Sequence, residues 1–259
     1  MQPTLDFVKK MATHAGDILL EYAQSNFDIH HKSRKDLVTS ADHASEAYLI
    51  DAIHTAFPNH AINAEESGEI QGETDHKWYI DPLDGTINYA HGIPFYAVSI
   101  GYAYKGEMTL GVVYDPNRDE CFCAERGGGA SLNGEPLQVA GKTELIDCLL
   151  ATGFPRDVDG TPGDNIENFI SLNRASQTVR RMGSAALDIA YVAAGRLDGF
   201  WSVEIFQWDV GAASLMVSEA GGLVTNVIGE PDFMTPPVSI LCANAAIHAK
   251  MLGILKDCR

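Results

Sequence analysis

Apolar residues recur at helical spacing in the first part of the chain. Between Leu5 and Tyr22 they fall three or four positions apart, with polar residues between them. This pattern predicts an amphipathic surface helix over about 4–23. Capping residues and apolar runs predict four further helices, over about 42–57, 185–195, 210–220 and 246–255.

Short apolar runs bounded by turn residues dominate the middle of the chain. The runs 96–104 and 108–114 are separated by Lys105-Gly106-Glu107, which predicts a hairpin, and Asn133-Gly134 predicts a second one. Together they predict an antiparallel sheet in mid-chain. Further strands are predicted over 78–80, 120–124, 145–152, 198–203 and 239–243.

The segment 78–88, WYIDPLDGTIN, joins a predicted strand to polar turn residues. Asp81 stands where the apolar run ends. The proline after it has no N–H to donate, so we expect the strand to stop there. Asp84 follows beside Gly85, whose missing Cβ permits a sharp turn or a close approach to a ligand. Thr86 could begin a helix whose first N–H groups point towards an incoming anion.

Two carboxylates and several amide donors in one turn suit a metal ion together with a phosphate. Asp oxygens are hard ligands, which favours Mg²⁺ or Mn²⁺. No His or Cys near this turn has a spacing typical of zinc sites. An ordinary strand–turn–helix connection, with Asp81 and Asp84 as simple turn residues, explains the same spacing and stays open at this point.

The formal net charge of −17 limits the partners that the surface can attract. A surface this acidic repels nucleic acid and anionic membranes, so neither is expected as a partner. It also repels a phosphorylated substrate unless cations occupy the site. The charge therefore agrees with a metal ion at the aspartate turn.

The 259 residues contain no linker, low-complexity tract or repeat, so we expect a single domain over 1–259. No apolar run approaches the ~18 residues that span a bilayer, and charged residues interrupt the N-terminal stretch where a signal peptide would be apolar. These features predict a cytoplasmic protein. In that reducing compartment the five cysteines are expected to be free, buried thiols.

Three separated motifs resemble those of one enzyme family. The sequence DPLDGTIN at 81–88 resembles the DPxDGTxN signature of the inositol monophosphatase family, which comprises magnesium-dependent, lithium-sensitive phosphatases and includes fructose bisphosphatases. AEES at 64–67 is similar to the family's GEES segment, with Ala64 in place of glycine. WDVGAA at 208–213 resembles its second signature, which a Gly-Gly pair follows.

The resemblance implies an α+β fold, a layered α/β/α/β/α sandwich. Its N-terminal sheet would be mostly antiparallel and its second sheet mixed. The approximate halves would be 1–143, carrying most metal ligands, and 144–259, carrying Asp209. By analogy with relatives the protein would be a homodimer.

The same resemblance implies the metal ligands. Glu65, Asp81 and the carbonyl of Leu83 would bind one Mg²⁺, and Asp81, Asp84 and Asp209 a second. A third, weaker ion near Glu65 follows by analogy, and Mn²⁺ would substitute. Four clustered carboxylates could not all stay ionised at neutral pH without cations. From the residues alone, Asp209 is equally explained as the N-cap of the helix over 210–220.

The resemblance also assigns catalytic roles. Asp42 and Thr86 would orient and deprotonate a water molecule on the ion that Glu65 binds. Glu66 and Lys32 would support the site from nearby. The residues themselves offer an alternative for Asp42, because Thr39 and Asp42 fit a capping box at a helix start.

Substrate contacts are implied at two further places. The N–H groups of Gly85 and Thr86 would bind phosphate, and Gly183-Ser184-Ala185 would border the sugar, although Ser184 also suits a helix N-cap. Ser202 stands where many members of the family have a glutamate that binds inositol hydroxyls. If 198–203 is a strand, Glu204 would share the face of Ser202 and could replace that glutamate.

The expected activity is hydrolysis of a sugar or polyol phosphate, with myo-inositol-1-phosphate as the first expectation. Fructose 1,6-bisphosphate, a 3′-phosphoadenosine phosphate and histidinol phosphate are the alternatives on the same fold. An alternative of another class is a regulatory binding protein for RNA or the transcription machinery. The acidic balance and the apparently complete ligand set disfavour that alternative.

Overall fold

The computed structural model describes residues 1–24, 28–33, 36–155 and 164–258, with the side chains at 31–33 and 36 outside that description. Lys32 therefore lies in a described strand, while its side chain lies outside the described residues. In the described part the helices are α1 Leu5–Ala23, α2 Ser40–Ala56, α3 Thr86–Ala90, α4 Ile166–Ala175, α5 Ala185–Ala193, α6 Gln207–Glu219 and α7 Ala245–Asp257.

The strands form a two-stranded ribbon and two larger sheets. The ribbon pairs β1 Ile29–Ser33 with β2 Asp36–Thr39. The first sheet contains β3 His60–Ala64, β4 Gly68–Ile70, β5 Glu73–Asp84, β6 Ala97–Tyr104, β7 Glu107–Asp115, β8 Glu120–Glu125, β9 Gly129–Leu132 and β10 Glu135–Pro136. The second contains β11 Leu149–Thr152, β12 Thr178–Arg180, β13 Gly199–Ser202, β14 Leu223–Thr225 and β15 Ile240–Ala243.

The two sheets differ in strand direction, as predicted. The eight-stranded sheet has the order β10-β9-β8-β7-β6-β5-β3-β4, and only the pair β3–β5 is parallel. The five-stranded sheet has the order β12-β11-β13-β15-β14, in which β11 is parallel to both neighbours and the remaining pairs are antiparallel. The hairpins predicted at Lys105-Gly106-Glu107 and Asn133-Gly134 connect β6 to β7 and β9 to β10.

Three apolar cores hold these layers together. Helices α1 and α2 cover one face of the eight-stranded sheet, α5 and α6 fill the space between the sheets, and α4 and α7 cover the outer face of the five-stranded sheet. Neighbouring residues of β13 alternate between cores: Phe200 faces the middle helices, and Trp201 packs with the outer ones. The layered α/β/α/β/α sandwich expected from the sequence is therefore confirmed.

Some predicted boundaries are wrong for physical reasons. The strand expected over 145–152 begins only at Leu149, because Leu145–Asp147 form a 3₁₀ turn. That turn places Leu145 and Cys148 on one buried side while Ile146 stays exposed. Among the described residues, all five thiols are free as expected, but Cys121 and Cys258 are only half-buried. None of the described helices is long and apolar enough to cross a membrane.

Candidate active site

The aspartate turn is built on an irregularity in the sheet. Strand β5 continues past Pro82 to Asp84, so the expected end at the proline is wrong. Its pairing with β6 slips there: Asp81 lies opposite Ser99, but Asp84 lies opposite Ala97. Strand β5 therefore has one extra residue relative to β6 between these two pairs, which is a β-bulge. The bulge turns both carboxylates to one side.

The residues after the bulge close the turn. The N–H of Leu83 donates to Asp81 Oδ1 over 2.9 Å, and Gly85 adopts a φ of +100°. Helix α3 then begins at Thr86, as predicted, and its first turn leaves N–H groups without partners within the helix. The carboxylates and these donors face one cleft.

Acidic side chains from two distant parts of the chain meet at this turn. Oxygen atoms of Asp81, Asp84 and Asp209 lie within 4.8 Å of one another. Asp209 comes from the first turn of α6, whose N-cap is Phe206. It is therefore not the N-cap predicted from the sequence, and its Oδ2 accepts the N–H of Phe206 over 3.0 Å instead. Glu65, directly after β3, lines the same cleft.

Burial and mutual repulsion make this cluster costly to ionise. Burial raises the pKa of Asp81 well above its usual 3.8, and the charges of Glu65, Asp84 and Asp209 raise it further. Burial also raises the pKa of Asp84 to about 6, although donors from Ser184 and Ala186 oppose this rise. Clustered hard oxygen donors, of which Asp81 is buried and Asp209 half-buried, fit a divalent cation such as Mg²⁺, which would offset their repulsion.

Asp42 combines both roles that the sequence left open. Its Oδ2 accepts the N–H and the hydroxyl of Thr39 over 2.8 and 2.6 Å, which completes the capping box of α2. Its Oδ1 accepts the hydroxyl of Thr86 over 3.2 Å. Burial raises the pKa of Asp42 to about 6. The carboxyl is therefore anchored on one oxygen and connected to the aspartate turn by the other.

A cleft of about 230 Å³ opens above the turn. Most of the predicted site residues line it, namely Glu65, Asp81, Leu83, Asp84, Gly85, Thr86, Gly183, Ser184, Ala185, Ser202, Glu204 and Asp209. Ser184 is the N-cap of α5, as predicted, and its hydroxyl also donates to Asp84 Oδ2 over 2.7 Å. The structure thus brings residues from both halves of the chain to one place, while their individual roles stay predictions.

Other expectations fit less well. Strand β13 ends at Ser202, so the argument that Glu204 shares a strand face with it is wrong. The Ser202 hydroxyl donates to the Glu204 carbonyl over 2.9 Å, and the Glu204 side chain is exposed at the rim. Glu66 is not among the cleft residues, and its N–H donates to Glu46 Oε2 over 2.8 Å.

Asp188 and Arg181 are among the cleft residues that sequence reasoning missed. Asp188 is 2% exposed, its Oδ1 has no partner among the described residues, and burial beside Asp84 raises its pKa well above 3.8. Its position four residues after Ser184 on a helix is the signal that places both on one face. Arg181 brings a cation to the wall and lies over the ring of Phe154, 5.6 Å from its centroid.

Known proteins are similar to this chain in sequence and in fold. The model of the inositol monophosphatase family matches residues 1–259. The protein named Nus factor SuhB from Pseudomonas aeruginosa is 44% identical over 244 residues, 90% of this chain and 89% of that protein. Inositol-1-monophosphatase from Mesorhizobium japonicum is 40% identical over 232 residues, 89% of this chain and 87% of that protein.

A solved structure agrees with the sequence matches. Inositol monophosphatase from Anabaena (Nostoc) sp. PCC 7120 superimposes with a TM-score of 0.89 at 42% identity, covering 98% of this chain and 95% of that one. The family match covers the whole chain, and the acidic cleft contains residues of the family motifs. The chain belongs to the inositol monophosphatase family.

Proposed function

We propose that this protein is a Mg²⁺-dependent phosphomonoesterase that hydrolyses a sugar or polyol phosphate, with myo-inositol-1-phosphate as the substrate. The observation that carries the proposal is the meeting of Asp81, Asp84 and Asp209 beside the first turn of α3. Carboxylates that could serve as cation ligands and the amide donors of the turn therefore line one small cleft. Membership of the family supports the phosphatase class. The homodimer and the cytoplasmic location expected from the sequence belong to the same proposal.

The residues present fit two Mg²⁺ ions. Glu65, Asp81 and the Leu83 carbonyl would hold one, and Asp81, Asp84 and Asp209 the other. When bound, the ions would lower the pKa of a bound water and neutralise charge on the phosphate and the leaving oxygen.

The chain's own residues supply proton transfer and orientation. The Thr86 hydroxyl has one proton and two acceptors in reach, Asp42 Oδ1 at 3.2 Å and the Leu83 carbonyl at 3.1 Å. The Thr86 proton would pass to Asp42 while the Thr86 oxygen takes a proton from the attacking water, so that Asp42 ends with the proton and the water attacks as hydroxide. A pKa of about 6 lets Asp42 take up that proton near neutral pH. The N–H groups of Gly85 and Thr86 orient the phosphate.

The cleft also supports the substrate class. Its 230 Å³ suits one small molecule rather than a polymer. Beyond the acidic cluster its wall offers Arg181, Ser202 and the exposed carboxylate of Glu204, which are groups that bind hydroxyls. Inositol-1-phosphate, fructose 1,6-bisphosphate, 3′-phosphoadenosine phosphate and histidinol phosphate form the panel that identifies the substrate by comparison of kcat/KM.

The substitution Asp84→Asn tests the proposal. It removes one charge from the cluster while keeping the shape of the side chain. We expect it to abolish Mg²⁺-dependent phosphate release and to leave the circular dichroism spectrum unchanged. Asp51→Asn, on the exposed face of α2, is the matched control and should keep wild-type turnover. Wild-type turnover by the Asp84 variant, or full activity of the wild type after exhaustive chelation, would refute the proposal.

A second candidate function rests on the relative named Nus factor SuhB at 44% identity. It is a binding role in transcription, independent of hydrolysis. Fluorescence anisotropy with labelled RNA, at physiological salt, checks it directly. Because the net charge of −17 repels RNA, we expect no saturable binding by this chain alone. Submicromolar binding that survives Asp84→Asn would favour the second candidate.

A further inference from the structure

Asn88 makes an unusual pair of contacts for a residue so close to the aspartate turn. It is 9% exposed and lies in α3, four residues after Asp84. Its Nδ2 donates to the Phe95 carbonyl over 2.8 Å and to the Met182 carbonyl over 2.8 Å. Both hydrogens of one amide group are therefore used, and one of the acceptors lies in the other half of the chain.

The segments around Phe95 and Met182, whose carbonyls accept from Asn88, both pack closely against Gly85. A Cβ built on Gly85 would lie 3.0 Å from the Phe95 carbonyl oxygen and 3.3 Å from the Gly183 carbonyl oxygen. Gly183 in turn has a φ of +92°, and a Cβ there would lie 2.9 Å from Nδ2 of Asn88. The amide thus fixes both segments at the distance that only glycine permits.

A closed ring of contacts results. The chain runs from Asp84 to Asn88, crosses by a hydrogen bond to Met182, and continues to Ser184. The Ser184 hydroxyl then returns to Asp84 Oδ2 over 2.7 Å, and the N–H of Ala186 donates to the same oxygen over 2.6 Å. One oxygen of Asp84 is held in this way by the segment that Asn88 positions.

We infer that Asn88 is a positioning residue for the metal site. It holds the 182–184 segment so that Ser184 fixes one oxygen of Asp84 within the cluster that Asp84 forms with Asp81 and Asp209. The inference rests on the proposed function only in taking Mg²⁺ as the ion of this cluster. Asn88 itself is not among the residues that line the cleft.

The chain provides a matched control in Asn244. Its Nδ2 also donates to two carbonyls, those of Ala140 at 2.7 Å and Lys142 at 2.8 Å, but at the start of α7, in the outer layer. Asn88→Ala and Asn244→Ala therefore both remove a doubly donating amide, and the second also removes the cap that Asn244 Oδ1 gives α7 by accepting the N–H of Ile247 over 3.0 Å. Two measurements compare the variants. Urea unfolding gives the stability of each, and calorimetric titration of Mg²⁺ into the metal-free full-length protein gives its Mg²⁺ affinity.

We expect both variants to lose stability, because each leaves two carbonyls without a donor. Asn88→Ala should bind Mg²⁺ at least tenfold more weakly than the wild type, and Asn244→Ala within twofold of it. A purely structural role for Asn88 predicts equal Mg²⁺ affinity in both variants. That result would overturn the inference.

A double-mutant cycle keeps the test decisive if Asn88→Ala folds poorly. Asn88→Ser retains a single donor, and Ser184→Ala breaks the ring at its other end. If both act through one ring, the combined variant should bind Mg²⁺ no more than twofold worse than the weaker single variant. Losses that simply multiply would contradict the ring.

Calorimetry and turnover together distinguish failure of the inference about Asn88 from failure of the proposed function. A wild type that binds Mg²⁺ but releases no phosphate from any substrate of the panel refutes the proposed function and leaves the inference about Asn88 intact. If the wild type is active and Asn88→Ala binds Mg²⁺ as tightly as the wild type, the inference about Asn88 is refuted and the proposed function stands. A wild type that binds no Mg²⁺ overturns both.

Discussion

Gly85 shows how much of the candidate site depends on the backbone rather than on side chains. Its φ of +100° lies in the region that L-residues adopt only at a cost. The carbonyls of Phe95 and Gly183 close the space where a Cβ would be. The amide donors of the turn can therefore reach a ligand only while this position has no side chain.

Gly85→Ala tests this requirement. We expect a loss of about 1–3 kcal/mol in the free energy of unfolding from the strained φ alone, and near-complete loss of phosphate release, because the turn must move away from the two carbonyls. Gly134→Ala is the control, since it has a φ of +90° in a hairpin with no atom within 4 Å of its Cβ. Equal activity losses in the two variants would show that strain, and not crowding at the turn, matters.

At the scale of elements, α6 is placed by two glycines of the sheet. Gly101 and Gly111 lie opposite each other on β6 and β7. A Cβ on Gly111 would lie 2.4 Å from the Ala212 carbonyl oxygen, and one on Gly101 would lie 3.1 Å from the Ala212 nitrogen. The helix backbone thus rests directly on the sheet, and Asp209 lies one turn before the contact.

The sequence could predict the features that depend on local signals, but not those that depend on distant contacts. Helix α1 follows from its apolar spacing, and the hairpins follow from their turn residues, because both signals are local. The start of α6 does not, since its N-cap is the apolar Phe206 and the N–H of that residue is satisfied by Asp209 from the third helical position. The meeting of Asp209 with Asp81, more than a hundred residues earlier, was expected only from the family resemblance. Asp188 was not predicted, and Asn88 entered only as the last residue of the DPLDGTIN signature, because the roles of both depend on what packs around them.

Gly111→Ala should therefore act at a distance. The added methyl must displace α6 from the sheet, which costs about 1–3 kcal/mol of stability by overpacking and moves Asp209. We expect lower stability together with at least tenfold weaker Mg²⁺ binding. Gly141→Ala, at an exposed position with open space around its Cβ, should change neither quantity. A Gly111 variant that is destabilised but binds Mg²⁺ normally would show that α6 can shift without moving the ligand.

At the scale of the whole molecule, the acidic site sets how stability depends on pH. The pKa of Asp84 and that of Asp42 are each raised by burial from 3.8 to about 6. A carboxyl with a raised pKa in the folded state favours folding while it is protonated. That contribution is complete below about 3.8 and is lost as pH rises through about 6. A difference of two pKa units corresponds to about 3 kcal/mol for each group.

Mg²⁺ should restore the folding stability that is lost when these carboxyls ionise, and its effect should be larger at higher pH. Above pH 6 Asp84 is ionised, and its charge beside the neighbouring carboxylates destabilises the metal-free fold. Bound Mg²⁺ would therefore both offset this repulsion and stabilise the folded state by mass action. We expect the rise in Tm on adding Mg²⁺ to be several degrees larger at pH 8 than at pH 5.5. The general repulsion from a net charge of −17 also grows with pH, so NaCl at matched ionic strength separates screening from specific binding. Asp84→Asn should reduce the pH dependence of the Mg²⁺ effect. An equal Tm increment at both pH values in the wild type would mean that the cluster is not the origin of the effect.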